Sequence, residues 1–215
     1  MSRKKHLLFF AFMVMFAAAC KKESVTRKTL TLQPSNNANE IAVANVNGQD
    51  QTGITQESID ADAWTLNGGS WTLRAIVKFD FSAIPSNAII DSANLYLYSD
   101  STPTTANLID ANFGSDNSFL IQQITSDWTT SSLSWDNQPT VSETTQITIP
   151  STTASFLDLK VDVKAMIATM AKNNTNYGFL IRLQNEVIYT SRIFVASHNT
   201  KYPDRHPKLV IGYHY

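Results

Sequence analysis

The stretch Trp71–Tyr98, WTLRAIVKFDFSAIPSNAIIDSANLYLY, decides the fold class. Apolar side chains occupy every second position of its first half, and only Ile76 interrupts the alternation. These apolar positions are Trp71, Leu73, Ala75, Val77, Phe79 and Phe81. Because successive side chains of a strand point to opposite faces, the pattern predicts a long strand with one buried face.

A second alternating run follows the connection at Pro85, whose missing N–H cannot serve a β-ladder. Its inward positions are predicted to be Ala93, Leu95 and Leu97. Its outward positions are predicted to be Asn94, Tyr96 and Tyr98. Two strands that share one apolar face must bury it against further strands, so the rest of the chain is expected to supply another sheet.

The remaining sequence contains short alternating runs and one helical pattern. Leu30–Pro34 is expected to form a first edge strand, and the segment 35–69 is expected to hold short strands separated by long loops. Three later alternating runs are predicted to be strands. Their inward-facing residues are predicted to be Leu157, Leu159 and Val161 in the first; Phe179, Ile181 and Leu183 in the second; and Leu209, Ile211 and Tyr213 in the third. Helical spacing of Val163, Met166, Ile167 and Met170 predicts a helix capped by Asp162 and ending near Asn173. Eight to ten strands without a repeated βα unit predict an all-β, antiparallel jelly-roll sandwich with one short helix.

The composition suits one exported domain. The chain has 215 residues, of which 43% are hydrophobic and 16% are charged, and its formal net charge is −1. A domain of this size can bury a substantial core. The scattered charges exclude the basic face that nucleic-acid binding requires. We expect a monomer.

The N-terminus has the pattern of a lipoprotein signal peptide. Basic residues at 3–5 precede an apolar run that is too short to span a bilayer, and three alanines lead into Cys20, the one cysteine of the chain. We expect residues 1–19 to be removed, Cys20 to carry lipid, residues 20–29 to form a tether and residues 30–215 to form the domain. The alternative is an ordinary signal peptide that is cut nearby. Either way the protein is exported, and lipidation predicts an outer-membrane lipoprotein at the cell surface.

No motif in the sequence predicts a metal or cofactor site. The histidines of the mature chain, His198, His206 and His214, have no metal-ligand spacing. Asp60 and Asp62 are expected in a polar loop near Asp50 and Glu57. Such a loop holds calcium in some proteins, but a solvated acidic loop is the favoured interpretation. No cofactor is therefore predicted, and a structural calcium ion is left as an alternative.

Tyr96, Tyr98 and Arg182 are the predicted ligand-binding residues. Flat tyrosine rings can stack on sugar rings, and a guanidinium can bind a carboxylate through two hydrogen bonds. These three side chains are expected on one outward face; if they do not bind, the loops around Trp64 and His198 come next. Trp128 and Trp135 are instead interpreted as structural, clamping a loop onto the sandwich.

Catalysis is the weaker interpretation. The sequence has no G-x-S-x-G, H-E-x-x-H or P-loop motif. Tyr189, Arg192 and His198 are residue types that a β-sandwich polysaccharide lyase uses. However, the Q-I-H triplet of one lyase family is missing, because Gln123-Ile124 and Gln146-Ile147 are both followed by threonine.

Four blocks of the sequence resemble the DNRLRE-domain proteins, classed as carbohydrate-binding module family 96. They are Arg74–Leu97; Trp128 with SWDNQP at 134–139; Leu159–Met170 with NYGF at 176–179; and Ser191-Arg192 with PKLVIGY at 207–213. The chain departs from the family at Met170-Ala171, where a tryptophan is expected, and in the 199–206 insertion. The resemblance implies a jelly-roll sandwich, an extracellular location and carbohydrate binding, with acidic polysaccharides of alginate type bound by some members.

These observations predict noncatalytic polysaccharide binding at the cell surface by a lipid-anchored single domain. The first alternative is a structural or adhesive surface protein that binds another protein. The second is a small polysaccharide lyase.

The Cys20→Ser substitution is expected to move the protein from the membrane fraction to the soluble exported fraction, because no other thiol exists to carry lipid. Cell fractionation with a labelled fatty acid measures both effects. Incorporation of the label into the Cys20→Ser chain would contradict the assignment.

Overall fold

The computed structural model describes residues 25–34, 39–54 and 56–215, so the predicted signal peptide and Cys20 lie outside the described residues. Thirteen strands and one α-helix are present in the described residues. The strands are β1 (Arg27–Leu32), β2 (Glu40–Val46), β3 (Gln49–Ile54), β4 (Ser58–Leu66), β5 (Gly69–Val77), β6 (Ile89–Leu97), β7 (Asn112–Phe113), β8 (Phe119–Gln123), β9 (Ile147–Ile149), β10 (Leu159–Asp162), β11 (Phe179–Leu183), β12 (Thr190–Val195) and β13 (Lys208–His214). Helix α1 spans Lys164–Asn173, and a 3-10 turn spans Pro203–Arg205.

The strands form two antiparallel sheets. The small sheet has four strands in the order β1-β13-β6-β10, and the large sheet has nine, with the path β7-β12-β4-β5-β11-β8-β9 and with β2 and β3 attached through β5. The main core combines residues of both sheets, such as Leu95 and Ile211 with Val77 and Ile181. The predicted all-β antiparallel sandwich with one short helix is therefore confirmed.

The stretch 71–98 forms the two strands that its pattern predicts, with one difference in length. Leu73 and Val77 of β5 and Leu95 and Leu97 of β6 are at most 1% exposed. Strand β5 ends at Val77 rather than Phe81. The backbone N–H of Lys78 donates to Asn39 outside the ladder, and Phe79 still reaches the core beyond the end of the strand.

Two hairpins replace the long loops that were expected between residues 35 and 69. Strands β2 and β3 are joined by Asn47-Gly48, and β4 and β5 by Asn67-Gly68, with φ between +51° and +83° at all four positions. Asn-Gly fits a two-residue hairpin because both central residues of a type I′ turn need positive φ. The expectation of long loops was wrong, and these two dipeptides were the signals for the correct structure.

The ends of several predicted elements shift. Strand β1 pairs with β13 at the edge of the small sheet, which confirms a first edge strand, but it begins at Arg27 within the expected tether. Leu157 was predicted to face inward. It is 38% exposed because strand β10 begins two residues later at Leu159.

The predicted helix is confirmed as α1, and Met166, Ile167 and Met170 are buried on one of its faces. The predicted cap is one residue too early, because the N-cap position is Val163; Asp162 instead accepts a hydrogen bond from the backbone N–H of Lys164. The helix ends before Asn174, which adopts the left-handed conformation. No helix in residues 25–34, 39–54 and 56–215 combines the length and apolarity needed to cross a membrane.

Val77→Asp is expected to unfold the domain or to lower its free energy of unfolding by several kcal/mol, because the new carboxylate would lie unpaired in the main core. Lys78→Thr is the matched control. Lys78 is half-buried and its ammonium is 5.7 Å from the Trp128 ring, so its loss should cost at most about 1 kcal/mol. Thermal denaturation of the two variants measures the difference, and equal melting temperatures would contradict the register of β5.

Candidate functional site

Tyr96 of β6, and Tyr98 one residue beyond the end of that strand, point to the outer side of the small sheet. Leu95 and Leu97, which alternate with them, are buried in the main core, so the two tyrosines point away from it. Both tyrosines are half-buried. Their predicted outward orientation is confirmed.

Three cations surround the two tyrosine rings. Lys160 of β10 and Lys208 of β13 are paired with Tyr96 from the two neighbouring strands. The Lys208 ammonium lies 5.1 Å from the centroid of the Tyr96 ring and 5.5 Å from that of Tyr98, and the Lys160 ammonium lies 5.9 Å from that of Tyr96. The Arg205 guanidinium is 5.5 Å from the Tyr98 centroid. Tyr96, Tyr98, Lys160, Arg205 and Lys208 together form the tyrosine–cation face.

The lysines of this face have charge available for a ligand. A side-chain hydrogen bond with Tyr98 raises the pKa of Lys208, so its ammonium is fully charged at neutral pH. Arg205 is partly neutralised by Asp158, whose carboxylate oxygen is 2.7 Å from the guanidinium. Neither Lys160 nor Lys208 takes part in the ion pairs found among the described residues. The face therefore offers two aromatic rings beside two unpaired positive charges.

Arg182 does not join this face. It lies on β11 of the large sheet, where Ile181 and Leu183 on either side of it face the main core, so Arg182 points outward on the opposite side of the sandwich. Its guanidinium donates to Gln122 at 3.1 Å and to the carbonyl of Leu183 at 3.0 Å, and burial lowers its pKa. The expectation that Arg182 shares a face with Tyr96 and Tyr98 was wrong, because strand alternation does not say which sheet a strand joins.

Trp128 and Trp135 are structural, as the sequence predicts. The indole N–H of Trp128 donates to the Tyr177 carbonyl at 2.7 Å, and its ring packs on a second apolar cluster that includes Ile76. The Trp135 ring lies 4.2 Å below the guanidinium of Arg74, which also makes two hydrogen bonds to Glu186. The loop that carries both tryptophans thus covers part of the outer side of the large sheet.

The three lyase-type residues are not brought together. Arg192 is fully buried, with its guanidinium 4.8 Å from the Phe119 centroid, and burial lowers its pKa to about 10. Tyr189 is 52% exposed and contacts Trp64, whereas His198 lies 3.5 Å from Glu40. A polysaccharide cannot reach Arg192 without unfolding the core, so these residues do not form a catalytic site.

The structure shows an aromatic cleft at Trp64, which the sequence named only as a second choice for ligand binding and placed in a loop. The ring of Trp64 on β4 makes edge-on contacts with Phe113 at 5.4 Å and with Tyr189 at 5.1 Å between centroids. A cleft of about 320 Å³ lies beside it, and its lining includes Trp64, Leu66, Trp71, Thr104, Thr105, Ala106 and Leu108. Ala106, Leu108 and Tyr189 around this cleft have positive φ, a strained conformation that is common at functional sites. Phe113 and Trp64 are too far apart in sequence for any local pattern to join them.

Asp60 and Asp62 lie in strand β4 and not in a loop. Both are fully buried, and the hydroxyl of Thr105 donates to Asp60 at 3.2 Å. Burial raises the pKa of Asp60 to about 7, and burial with the nearby Asp60 raises the pKa of Asp62 well above its ordinary value. Asp50 accepts hydrogen bonds from the backbone of residues 135 and 136 instead of joining them. The expectation of a solvated acidic loop was therefore wrong.

A wider cleft at one end of the sandwich, of about 670 Å³, lies between the turn 80–86 and the end of α1. Two of its polar side chains are engaged within the fold. Asp80 accepts hydrogen bonds from the backbone and hydroxyl of Ser82, and the Asn176 amide donates to the Phe79 carbonyl. These contacts assign Asp80 and Asn176 a structural role.

The profile of carbohydrate-binding module family 96 matches residues 62–213. The chain belongs to this family. The matched region contains every residue of the tyrosine–cation face, whereas β1, β2, β3 and the first part of β4 precede it. A search of the curated proteins found no match. Membership of a carbohydrate-binding module family points to a noncatalytic domain that binds carbohydrate.

Proposed function

We propose that this family 96 module binds polysaccharide through the tyrosine–cation face and prefers an acidic chain. The observation that carries the proposal is the position of Lys208, whose ammonium lies within 5.5 Å of both tyrosine ring centroids on the outer side of the small sheet. A sugar ring stacks its C–H face on an aromatic ring while its carboxylate binds an ammonium. The tyrosine–cation face offers both kinds of group, because the Lys208 ammonium lies next to both tyrosine rings.

The shape of the face suits an extended chain. Tyr98 follows Tyr96 by two residues and lies one position beyond the end of β6, and two residues of extended chain span roughly 6.6 Å. Lys160 and Lys208 stand on either side of Tyr96 in the adjacent strands. A polysaccharide that runs over the strands would therefore meet a cation, a ring and a second cation in succession. Long lysine side chains can move to follow the carboxylates.

The proposal places the module on a lipid anchor at the cell surface. Strand β1 begins at Arg27 and forms the edge of the small sheet. Six residues, 21–26, separate it from Cys20, and they reach roughly 20 Å when fully extended. With Cys20 lipidated, the sheet that carries the tyrosine–cation face would stay close to the membrane and bind chains at the surface rather than far from it.

Alanine variants of Tyr96, Tyr98, Lys160 and Lys208 test the site in the soluble Cys20→Ser chain. Each variant is expected to weaken binding to a polyuronate by about 1–3 kcal/mol, because it removes a stacking surface or a charge-assisted hydrogen bond. Raising the ionic strength should weaken the lysine contributions more than the tyrosine contributions. Affinity electrophoresis with an acidic and a neutral polysaccharide measures both effects.

Lys28→Ala is the matched control for the lysine variants. Lys28 lies 5.1 Å from the Tyr215 ring centroid, and it is paired with Tyr213, whose side chain faces the core rather than the tyrosine–cation face. The Lys28→Ala variant should bind the polyuronate with the same affinity as the parent chain. If Arg182→Ala weakens binding while the four face variants do not, the binding site lies on the large sheet. If Tyr189→Ala weakens binding while the four face variants do not, the binding site lies at the aromatic cleft.

The same titration separates the alternatives. Ultraviolet absorbance of unsaturated sugar products would identify a lyase. Binding to no member of a glycan array would favour the protein-binding alternative, for which the exposed apolar side chains of Val187, Ile188 and Leu108 are the first surface to test. Binding without product supports the proposal.

A further inference from the structure

Strand β4 carries a row of oxygen-bearing side chains on one of its faces. Ser58, Asp60 and Asp62 occupy alternate positions, and Ile59, Ala61 and Ala63 between them belong to the main core. The row is therefore turned away from the core. It is nevertheless inaccessible, since Asp60 and Asp62 are 0% exposed and Ser58 is 7% exposed.

The cover over this row is the covering loop, residues 98–111 between β6 and β7. Both ends of the loop are tied to β12, by hydrogen bonds from the Asp100 N–H to the Ile193 carbonyl and from the Ile193 N–H to the Ala111 carbonyl. In the middle of the loop, the Thr105 hydroxyl donates to Asp60. The loop thus closes over two carboxylates.

The hydrogen bonds of the covering loop do not satisfy these carboxylates. Three of their four oxygens, Oδ1 of Asp60 and both oxygens of Asp62, are buried without a hydrogen-bond partner among the described residues. The cation on the neighbouring strand, Arg192 of β12, is paired with Ala61, and its side chain therefore lies on the other face of the ladder. Burying two carboxylates with so few hydrogen bonds, and with no ion pair among the described residues, is among the most costly arrangements in a fold.

We propose that Asp60 and Asp62 bind a calcium ion beneath the covering loop. Every candidate ligand is an oxygen: the two carboxylates, the hydroxyls of Ser58 and Thr105, and the carbonyl groups of the loop. Such hard ligands suit calcium or magnesium and not zinc, which favours nitrogen and sulfur. Calcium accepts six to eight oxygens in irregular geometry, whereas magnesium requires a nearly ideal octahedron, so a strand and a flexible loop fit calcium better.

Two carboxylates must be enough for this site. No group of three or more His, Cys, Asp or Glu side chains is placed to hold a metal in the part of the chain that the structure describes. Asp100 of the covering loop acts electrostatically on Asp60, but one of its oxygens accepts the Thr102 N–H. The remaining ligands are therefore hydroxyls, carbonyls and water, and two carboxylates exactly balance the charge of one calcium ion.

A bound calcium ion would also hold one wall of the aromatic cleft in place. Thr104, Thr105, Ala106 and Leu108 of the covering loop line that cleft, and Ala106 and Leu108 have positive φ. A bond network from β4 through the ion to the loop stabilises this strained backbone. Calcium binding would thus order the loop that carries one wall of the cleft.

Calorimetric titration of the soluble Cys20→Ser chain, freed of metal with EGTA and passed into chelator-free buffer, tests the proposal without any polysaccharide. One calcium ion should bind per chain, and calcium at about 100 times its dissociation constant should raise the melting temperature by about 5–10 °C. Magnesium chloride at the same concentration should raise it less. Asp62→Asn and the double variant Asp60→Asn, Asp62→Asn should abolish both the binding heat and the shift, because an amide keeps the shape but loses the charge.

Asp204→Asn is the matched control, because Asp204 is exposed in the 3-10 turn, and it should respond to calcium like the parent. If the asparagine variants do not fold, the titration of the parent chain and of Thr105→Val still decides the matter: the parent should bind one ion and Thr105→Val should bind it more weakly. Absence of calcium binding by the parent overturns the proposal and leaves a protonated carboxyl pair. A calcium response that persists in the folded asparagine variants also overturns it. Neither result bears on polysaccharide binding at the tyrosine–cation face.

Discussion

Strand β5 is buried on both of its faces, and the rest of the fold depends on that burial. One face, with Ala75 and Val77, belongs to the main core between the sheets, and the other presents Ile76 to the cluster under Trp128. Its edges are occupied as well, because β2, β4 and β11 all pair with it. A substitution between Ala75 and Val77 must therefore fit a packed environment, and the loop that carries the two structural tryptophans packs against this part of the strand.

This arrangement makes the two outer sides of the sandwich different. The tryptophan loop covers part of the large sheet, and the polar groups there bind one another, as Arg74 binds Glu186 and Arg182 binds Gln122. On the small sheet, Lys160 and Lys208 lie against the Tyr96 ring and take part in none of the ion pairs among the described residues. An extended polymer needs an open surface with unpaired groups. The small sheet provides one, and much of the large sheet does not.

The buried charged side chains of strands β4 and β12 also lie on opposite faces of the large sheet. Arg192 lies against Phe119 on the core face of the β4–β12 ladder, and Asp60 and Asp62 lie on its other face under the covering loop. The guanidinium and the carboxylates are thus kept apart by the strands that carry them and cannot neutralise one another. The guanidinium packs against an aromatic ring, whereas the loop above the carboxylates donates a hydrogen bond from Thr105 to Asp60 and leaves Asp62 without one among the described residues.

The sequence by itself determined the elements whose evidence is local. Alternation predicted the inward residues of β5, β6, β11 and β13, helical spacing predicted α1, and the outward direction of Tyr96 and Tyr98 followed from the same period of two. The Asn-Gly turns were equally local and were overlooked. Only the tertiary structure decided that Arg182 and the tyrosines stand on opposite sides, that Lys208 and Lys160 lie beside the Tyr96 ring, and that Asp60 and Asp62 are buried. Those facts depend on which sheet a strand joins and on which loop covers it, and strand pairing is set by contacts between residues far apart in the chain.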